Sequence, residues 1–358
     1  MCISIFAEPK PCFVSILCAL SFVLLQSCTS DTKEGFELIL SEGLTIEEIN
    51  GEHLLEVSAV TTNSTGDIII ADWRAGRIHV MSSAGEHIAS FGEAGAGTGR
   101  YQAIGNVFTD PDNRLFVVDY RVNKNDVYEH TFELNQTVQH PDDPFRFIHS
   151  DGEGHFLIQR FKEAEVKPGL YQEMAEVCSA TITNMDYHIE ACLDYLHEEY
   201  LISDSFQQTK RPFSKPHLVS VNHEYVLLFN TQNGHVTLYD HSLKPLSDFM
   251  LPIPSQEITN TDMLTARMVA GFDFLAIVDQ HIPTYKPAAT KVILDQQNRI
   301  WVKTHDTPPY KVFSMSGEKL GEFDLPLGFD LIHIHNNIMV AAGTVGLNDH
   351  VQIYDFNF

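Results

Sequence analysis

Residues 61–92 read TTNSTGDIIIADWRAGRIHVMSSAGEHIASFG. Three short apolar runs in this stretch, residues 68–71, 78–81 and 88–91, are separated by turns rich in Gly and Ser. Short β-branched runs between such turns are typical of strands and not of helices. With residues 55–61 ahead of them, they predict a four-stranded antiparallel meander. One meander leaves a sheet face uncovered, so we expect further copies in the chain.

The pattern of a polar turn followed by an apolar strand recurs along the chain. Counting the first, the copies are residues 67–72, 114–119, 155–160, 225–230, 299–304 and 338–342. The segments from His235 and from Lys311 resemble the second half of the first copy. Four-stranded units at a spacing of roughly 40–50 residues are typical of β-propeller blades. We therefore predict an all-β fold, a six-bladed β-propeller with four-stranded antiparallel blades.

The segment GDIIIADWRAGRIHVMSSAGEHIASFG, residues 66–92, resembles an NHL repeat: a Gly, a strand ending in Ala-Asp, a turn, Arg-Ile, a second strand and a closing Phe-Gly. The whole chain resembles the six-bladed β-propeller lipoproteins of Bacteroidetes-like bacteria. Later blades depart from the motif, since Arg160, Asn230 and Thr304 stand where Asp72 and Asp119 stand. The resemblance implies the fold and says little about function, because such propellers host many activities.

The N-terminal segment predicts export. Residues 13–25 form an apolar run of the length of a signal peptide, too short to cross a membrane as a helix. The run ends Leu25-Gln26-Ser27-Cys28, which resembles a bacterial lipobox and predicts lipidation of Cys28. The alternative is an ordinary secretory peptide with an incidental cysteine. Thr29 resembles the sorting position of outer-membrane lipoproteins, so we expect a cell-envelope protein anchored in the outer membrane.

These patterns divide the chain into a signal peptide (residues 1–27), a lipidated cysteine with a tether (28–35) and one propeller domain (36–358). The chain has 48 acidic and 23 basic residues and a net charge of −25. Such a balance argues against nucleic acid or an anionic membrane surface as the main partner. We expect a monomeric propeller. We also expect residues 36–40 to close the ring as the outer strand of the last blade, which hides an open sheet edge.

Two spacings are too long for simple repeats. The excess falls at residues 161–194, which include a hairpin at 176–194, and at residues 252–287, which include a short helix at 260–270. Long loops on a rigid scaffold often carry binding or catalysis. The alternative is that both are packing inserts.

Two cysteines remain beyond Cys28. If residues 176–183 and 187–193 are the strands of the hairpin, Cys178 and Cys192 face each other across it. In an extracytoplasmic compartment such a pair forms a disulfide. The alternative is two reduced cysteines acting as small hydrophobic side chains.

The sequence contains no strong catalytic motif, and we assign no catalytic residue and no cofactor. Asp72 and Asp119, at strand ends, are better read as residues that hold turns by accepting backbone N–H groups than as catalytic carboxylates. His333 and His335 lie two apart on one strand, a spacing that suits a metal, but no third ligand is evident. We therefore predict no metal site.

Basic and aromatic residues cluster where the second strand of each blade ends. Loops at this position open on the same end of a propeller, and here they contain Trp73, Arg74, Tyr120, Arg121, Arg160, Phe161, Lys162 and His305. Arg binds carboxylate or phosphate, and flat rings stack on sugars or peptides. The hypothesis is a funnel for an acidic or carbohydrate-like ligand. The alternative is that the arginines balance neighbouring acids and the rings pack between blades.

The sequence therefore favours a membrane-anchored binding or scaffolding module, whose partner is a small acidic or glycan ligand or another envelope protein. The enzymatic alternative is a propeller of the lactonase or amidating-lyase kind, which would hold a calcium or zinc ion in its channel. A third interpretation is a purely structural partner of an envelope protein, which predicts an exposed apolar patch.

Overall fold

A computed structural model describes residues 36–37, 43–139, 144–183 and 186–356. The predicted signal peptide, Cys28 and the tether at residues 28–35 lie outside the described residues. No helix in the described part of the chain is long and apolar enough to cross a membrane.

The described chain is almost entirely strand. In chain order the strands are β1 Phe36–Glu37, β2 Leu44–Ile46, β3 Glu48–Ile49, β4 Glu52–His53, β5 Val57–Thr62, β6 Ile68–Asp72, β7 Arg77–Met81, β8 His87–Phe91, β9 Glu93–Ala94, β10 Arg100–Tyr101, β11 Ile104–Thr109, β12 Leu115–Asp119, β13 Lys124–Tyr128, β14 Leu134–Gln139, β15 Phe145–Ser150, β16 His155–Phe161, β17 Gly169–Thr183, β18 Asp186–Ile202, β19 Gln208–Lys210, β20 His217–Val221, β21 Val226–Asn230, β22 His235–Tyr239, β23 Pro245–Met250, β24 Lys291–Leu294, β25 Ile300–Lys303, β26 Tyr310–Phe313, β27 Lys319–Phe323, β28 Phe329–His335, β29 Ile338–Val345 and β30 Asn348–Asp355. The helices are α1 Asn260–Ala270, a 3₁₀ turn at Phe272–Phe274, and α2 Leu275–His281.

Six sheets form six blades, as the repeats predict. Blade one is β5–β8, blade two β11–β14, blade three β15–β19, blade four β20–β23, blade five β24–β27 with β1, and blade six β28–β30 with β2. The ladders within each repeat are antiparallel meanders. The first strand of each repeat is innermost, because β5 contacts both β11 and β28, and β20 contacts β24.

An N-terminal strand does close the ring, but it is β2 and not the predicted residues 36–40. β2 pairs antiparallel with β30, with Leu44 opposite Ile353. Of the predicted strand, β1 lies beside β27 at the edge of blade five, and residues 38–40 lie outside the described residues. A Cβ at Gly43 would stand 1.6 Å from the Ile353 carbonyl oxygen, so the chain joins this sheet through a glycine that allows close backbone approach.

The core lies between neighbouring blades, which explains why the repeat strands are apolar at every position. In β6, Ile68 and Ile70 pack against blade six, in a cluster that includes Val340. Ile69 faces the other way and packs against Leu115 and other side chains of blade two. Successive side chains of a strand point to opposite faces, and in a blade both faces are buried.

The strand-ending aspartates hold the chain between blades. Asp72 accepts the backbone N–H groups of Leu55, Glu56 and Ala75. Asp119 accepts those of Gln102, Ala103 and Arg121 in the same way. Both side chains are buried. Each carboxylate thus ties the incoming chain and the next turn to the end of the second strand, the structural role predicted for these residues.

The two insertions pack against each other. The hairpin is longer than the predicted residues 176–194, because β17 begins at Gly169 and β18 ends at Ile202. Leu201 of β18 packs with Phe274 and Val278 of the second insertion. Helix α1 has the predicted bounds, and Thr259 caps its N-terminus in a capping box with Asp262.

Candidate binding channel

A cavity of about 720 Å³ runs between the innermost strands. All six blades contribute to its wall, through residues that include Val60, Asn106, His149, Val219, Ile293 and His333. The lining residues include a single carboxylate, Asp110, which is buried and paired with Arg114 at 2.7 Å. The described wall therefore mixes polar and apolar side chains and is almost without free charge.

One end of the channel, here called the turn end, is formed by the turns after the innermost strands. Five of these turns begin with an Asn or Asp whose side-chain oxygen accepts two backbone N–H groups of its own turn: Asn63, Asp110, Asp151, Asn222 and Asp295. Such Asx turns fix the chain reversal. The polar ring at this end is therefore explained by turn geometry.

Two histidines that line the channel near the turn end, His149 and His333, are uncharged at neutral pH. Burial, together with the nearby His241, lowers the pKa of His149 to about 3. Burial also lowers the pKa of His333 to about 3, with a smaller contribution from His335. The rings of His333 and His335 are stacked at 6.3 Å, and His333 Nε2 shares a hydrogen bond with the Thr62 hydroxyl.

These histidines do not form a three-ligand metal site within the described residues. The group of metal-ligating side chains that comes close enough there is Glu176, Cys178 and Cys192. The two sulfurs of that group are 2.07 Å apart, the distance of a disulfide. The cysteines pair directly across the hairpin as predicted, although the register shifts at a bulge between Ser179 and Ala180 and the strands pair one residue differently near the turn.

The opposite end of the channel, here called the arginine end, lies beside Arg146 of β15, which contacts the lining residue Tyr120 but does not itself line the cavity. The Cζ atom of Arg146 lies 4.1 Å from the ring centroid of Tyr120 and 4.4 Å from that of Phe161. Contacts of this kind attract a cation to the ring face. The Arg146 Nε donates to Asn123 Oδ1 at 3.4 Å, and Nη2 donates to the Tyr120 carbonyl oxygen at 3.3 Å. Burial lowers the pKa of Arg146, yet a guanidinium stays charged in proteins.

Gly105 makes room for the Tyr120 ring. A Cβ at Gly105 would lie 2.2 Å from the ring, so no other residue fits without moving it. Gly105 is also the extra residue of a bulge in β11, between Ile104 and Asn106. Bulges re-aim the chain locally and occur next to functional sites. The glycine thus lets Tyr120 reach the channel wall and contact Arg146.

Polar groups with a fixed orientation stand beside Arg146. Gln159 pairs with Arg146 across β15 and β16, and its Nε2 donates to the Tyr195 hydroxyl. Both Gln159 and Tyr195 line the channel. Burial raises the pKa of Tyr195 to about 12, so the hydroxyl keeps its proton. His197 contacts the Phe161 ring edge-on at 4.9 Å and lies 3.9 Å from Glu173.

The structure brings only part of the predicted rim together. Tyr120 and Phe161 meet at Arg146, whereas Arg160 pairs with Glu176 at 3.2 Å and Lys162 pairs with Asp194 at 2.6 Å. The basic residues of blade three therefore hold the hairpin.

The other predicted rim residues lie apart from the arginine end. Trp73 packs against the core shared by blades one and two. Arg74 and Arg121 are exposed, and neither forms an ion pair with any described residue. His305 lines a small separate pocket with Gln256 and Asp306, and its buried Nε2 has no hydrogen-bond partner among the described residues. The loop of blade five packs against the second insertion and not toward the channel.

Sequence reasoning missed Arg146, Gln159 and Tyr195. Arg146 lies in the segment FRFIHS, where a basic residue interrupts an apolar innermost strand. Gln159 lies in HFLIQR, a copy of the repeat already recognised. A charged residue within a strand buried on both faces was the available signal. No comparable sequence signal marks Tyr195, because its position depends on where the hairpin folds back.

The comparisons with known proteins agree with the fold. A family model described as a 6-bladed beta-propeller matches residues 48–208. Among solved structures, a member of the duf4221 family from Bacteroides vulgatus superposes with a TM-score of 0.53 at 8% identity, over 90% of this chain and 98% of that chain. The sequence matches no curated protein.

Two enzymes are also similar in fold. A virginiamycin B lyase from Staphylococcus aureus has a TM-score of 0.47 at 10% identity, covering 89% of this chain and 99% of that chain. A gluconolactonase from Xanthomonas campestris has a TM-score of 0.47 at 8% identity, covering 90% and 98%. Likeness at this level concerns the fold, and the chemistry of these enzymes is not carried over to this chain.

Proposed function

We propose that this chain is a lipid-anchored propeller of the bacterial cell envelope that binds a small acidic or carbohydrate-like ligand at the arginine end of its channel. One observation carries the proposal. Beside a cavity of about 720 Å³, Arg146 contacts the ring of the lining residue Tyr120 and the ring of Phe161, and it forms no ion pair with any described residue. Sites that recognise polar ligands place a few fixed polar or charged groups beside aromatic side chains, and Arg146 with its neighbours fits this description.

Binding explains the channel better than catalysis does. The described wall offers one carboxylate, Asp110, and Arg114 and its own turn already hold that group. General acid–base catalysis needs a titrating group near the operating pH, whereas His149 and His333 have pKa values of about 3. We therefore favour a binding module over the metal-dependent enzyme.

The proposed location rests on the sequence and on the hairpin. The lipobox-like Leu25-Gln26-Ser27-Cys28 supports a lipid anchor at Cys28, and Thr29 supports sorting to the outer membrane. The pairing of Cys178 with Cys192 agrees with an oxidising compartment outside the cytoplasm. We propose a monomer whose membrane contact is the lipid. The net charge of −25 argues against nucleic acid as a partner.

Ligand binding is tested with the full-length chain purified in detergent. Uronic acids, neutral sugars and acidic peptides are screened by thermal shift and measured by calorimetry. An Asn106→Trp variant places a large ring in the channel wall and should abolish binding. The matched control, Ile88→Trp on the exposed outer strand of blade one, should leave binding unchanged. Equal binding by both variants would place the ligand elsewhere, and no binding by any compound would refute this function.

The anchor is tested separately, by metabolic labelling with a radioactive fatty acid and by membrane fractionation. We expect wild-type protein to be labelled and to sediment with the outer membrane, and a Cys28→Ser variant to lose both properties. An unlabelled wild-type chain would show that Cys28 is incidental.

A further inference from the structure

We propose that the ligand of the arginine end is a hydroxylated monocarboxylate, such as the uronic acid at the end of an acidic glycan, and that Arg146 binds its carboxylate end-on. This inference rests on the proposed function and specifies its ligand.

The orientation follows from which parts of the guanidinium are already in use. The rings of Tyr120 and Phe161 contact the guanidinium, with their centroids 4.1 and 4.4 Å from Cζ. The Nε and one N–H of Nη2 donate to Asn123 and to the Tyr120 carbonyl oxygen. Among the described residues nothing pairs with the remaining edge, formed by Nη1 and the second N–H of Nη2. A ligand therefore reaches Arg146 in the plane of the guanidinium, at its end.

The shape and charge of this site favour a carboxylate. A planar carboxylate accepts two parallel N–H bonds from the end of a guanidinium and lies in the same plane. Arg146 is a single cation, and Glu173 is close enough to affect its pKa. A dianionic phosphate would meet one positive charge and a nearby negative one. A single negative charge on a flat group is the better match.

The neighbouring hydrogen-bonding groups suit ligand hydroxyls. The Tyr195 hydroxyl accepts from Gln159 Nε2, so its own proton remains available to a ligand oxygen. The Gln159 Oε1 has no partner among the described residues and accepts from a ligand hydroxyl. A donor and an acceptor side by side match the adjacent hydroxyls of a sugar ring. Gln159 pairs with Arg146 in the sheet, and the Tyr195 side chain reaches Gln159 from β18 and is close enough to affect the pKa of Arg146, so one small ligand spans all three.

The test uses pairs of ligands that differ only in the carboxylate. Calorimetry on the full-length chain compares D-glucuronate with D-glucose and D-galacturonate with D-galactose, and uses inorganic phosphate as a competitor. We expect at least one uronate to bind roughly 10- to 100-fold more tightly than its neutral partner, the range expected for hydrogen bonds to a charged group. We expect phosphate not to compete at similar concentration.

Three variants locate the effect. Arg146→Gln should remove the preference for the uronate, and Arg146→Lys should keep only part of it, because an ammonium lacks the planar fork. The control Arg121→Gln removes an exposed arginine that directly follows Tyr120 in the sequence. It should change neither the affinity for the uronate nor the preference over the neutral sugar. Thermal unfolding of each variant checks that it is folded.

The outcomes separate the two proposals. Equal binding of uronate and neutral sugar, or an Arg146→Gln variant that keeps the preference, overturns the carboxylate assignment and leaves the channel a sugar-binding site. Strong competition by phosphate overturns it in favour of a tetrahedral anion. Absence of binding by every compound refutes the proposed function and the inference together.

Discussion

Blades two and three are neighbours built on one repeat, and they use the end of the second strand differently. In blade two, Asp119 stands there, buried, and its carboxylate accepts three backbone N–H groups. In blade three, Arg160 stands there and pairs with Glu176 of a long hairpin. The regular blade uses the position to close a turn. The irregular blade uses it to support an extension that carries Tyr195 to the channel.

The innermost strands also differ near their start. The second residue is Gly105 in blade two and Arg146 in blade three. The ring of Tyr120 covers Gly105 and contacts Arg146. The regular blade thus contributes a fixed aromatic wall, and the irregular blade contributes the cation. Departures from the repeat mark the place of the proposed binding site.

The largest effect should come from breaking the regular blade. Asp119→Ala leaves the N–H groups of Gln102, Ala103 and Arg121 without their acceptor. Because unsatisfied buried donors cost about 1–3 kcal/mol each and water will reach some of them, we expect a loss of about 3 kcal/mol in the free energy of unfolding. Urea denaturation measures it.

The control for Asp119→Ala is Asp204→Ala, which removes an exposed carboxylate from a turn after β18. We expect it to change the free energy of unfolding by less than about 0.5 kcal/mol. Similar losses in both variants would mean that Asp119 acts through charge and not through its hydrogen bonds.

How far the sequence predicts this molecule depends on which contacts decide each feature. Strands such as 68–72 and 115–119 were predictable because burial on both faces makes them continuously apolar. The closing strand was misplaced, because residues 36–40 are a stronger apolar run than Leu44–Ile46 and pairing at a sheet edge depends on tertiary contacts. Cys178 does lie opposite Cys192 as predicted, but the turn differs from the predicted one. Ile182 pairs with Tyr187, and a bulge at Ser179 and Ala180 shifts the register so that the two cysteines meet.

The site was less predictable than the strands, because tertiary contacts decide which loop side chains reach the channel. The rule that loops after the second strand share one end of the propeller selected Tyr120 and Phe161, which the structure brings together at Arg146. It also selected Arg160, whose partner Glu176 belongs to the hairpin, and His305, which packs near the second insertion. Loop direction depends on the insertions, and their mutual packing has no periodic signal in the sequence.

Acid should weaken blade three more than blade two. At the position before the last residue of the innermost strand, blade two has Phe108 and blade three has His149, whose pKa is lowered to about 3 by burial and by His241. The unfolded chain takes up a proton at this histidine below about pH 6.5, and the folded chain does not. The stabilising contribution of the neutral His149 is therefore fully present above about pH 6.5 and is lost as the pH drops toward 3.

Between pH 7 and pH 5, proton uptake at His149 of the unfolded chain should lower the free energy of unfolding by about 2 kcal/mol. The loss is smaller if water reaches the ring. The measurement is the pH dependence of urea unfolding in wild type and in His149→Phe, which installs the residue of blade two. We expect the variant to lose less stability between pH 7 and 5. His130→Gln, at an exposed histidine, is the control. Parallel pH curves for all three proteins would contradict the assignment.

The smallest effect on stability should come from disturbing the contact between Tyr120 of blade two and Arg146 of blade three. The same change should clearly weaken binding of the proposed ligand. Gly105→Ala puts a methyl group 2.2 Å from the Tyr120 ring, which must turn away from Arg146. Overpacking of this kind costs about 1 kcal/mol or somewhat more. The displaced ring no longer covers the guanidinium, so uronate binding should weaken even though Arg146 is intact.

A double-mutant cycle with Tyr120→Ala isolates the cause, because Gly105→Ala should cost almost nothing once the ring is absent. If the alanine costs the same in both backgrounds, the glycine serves the bulge of β11 and not the ring, and Tyr120 reaches Arg146 without its help.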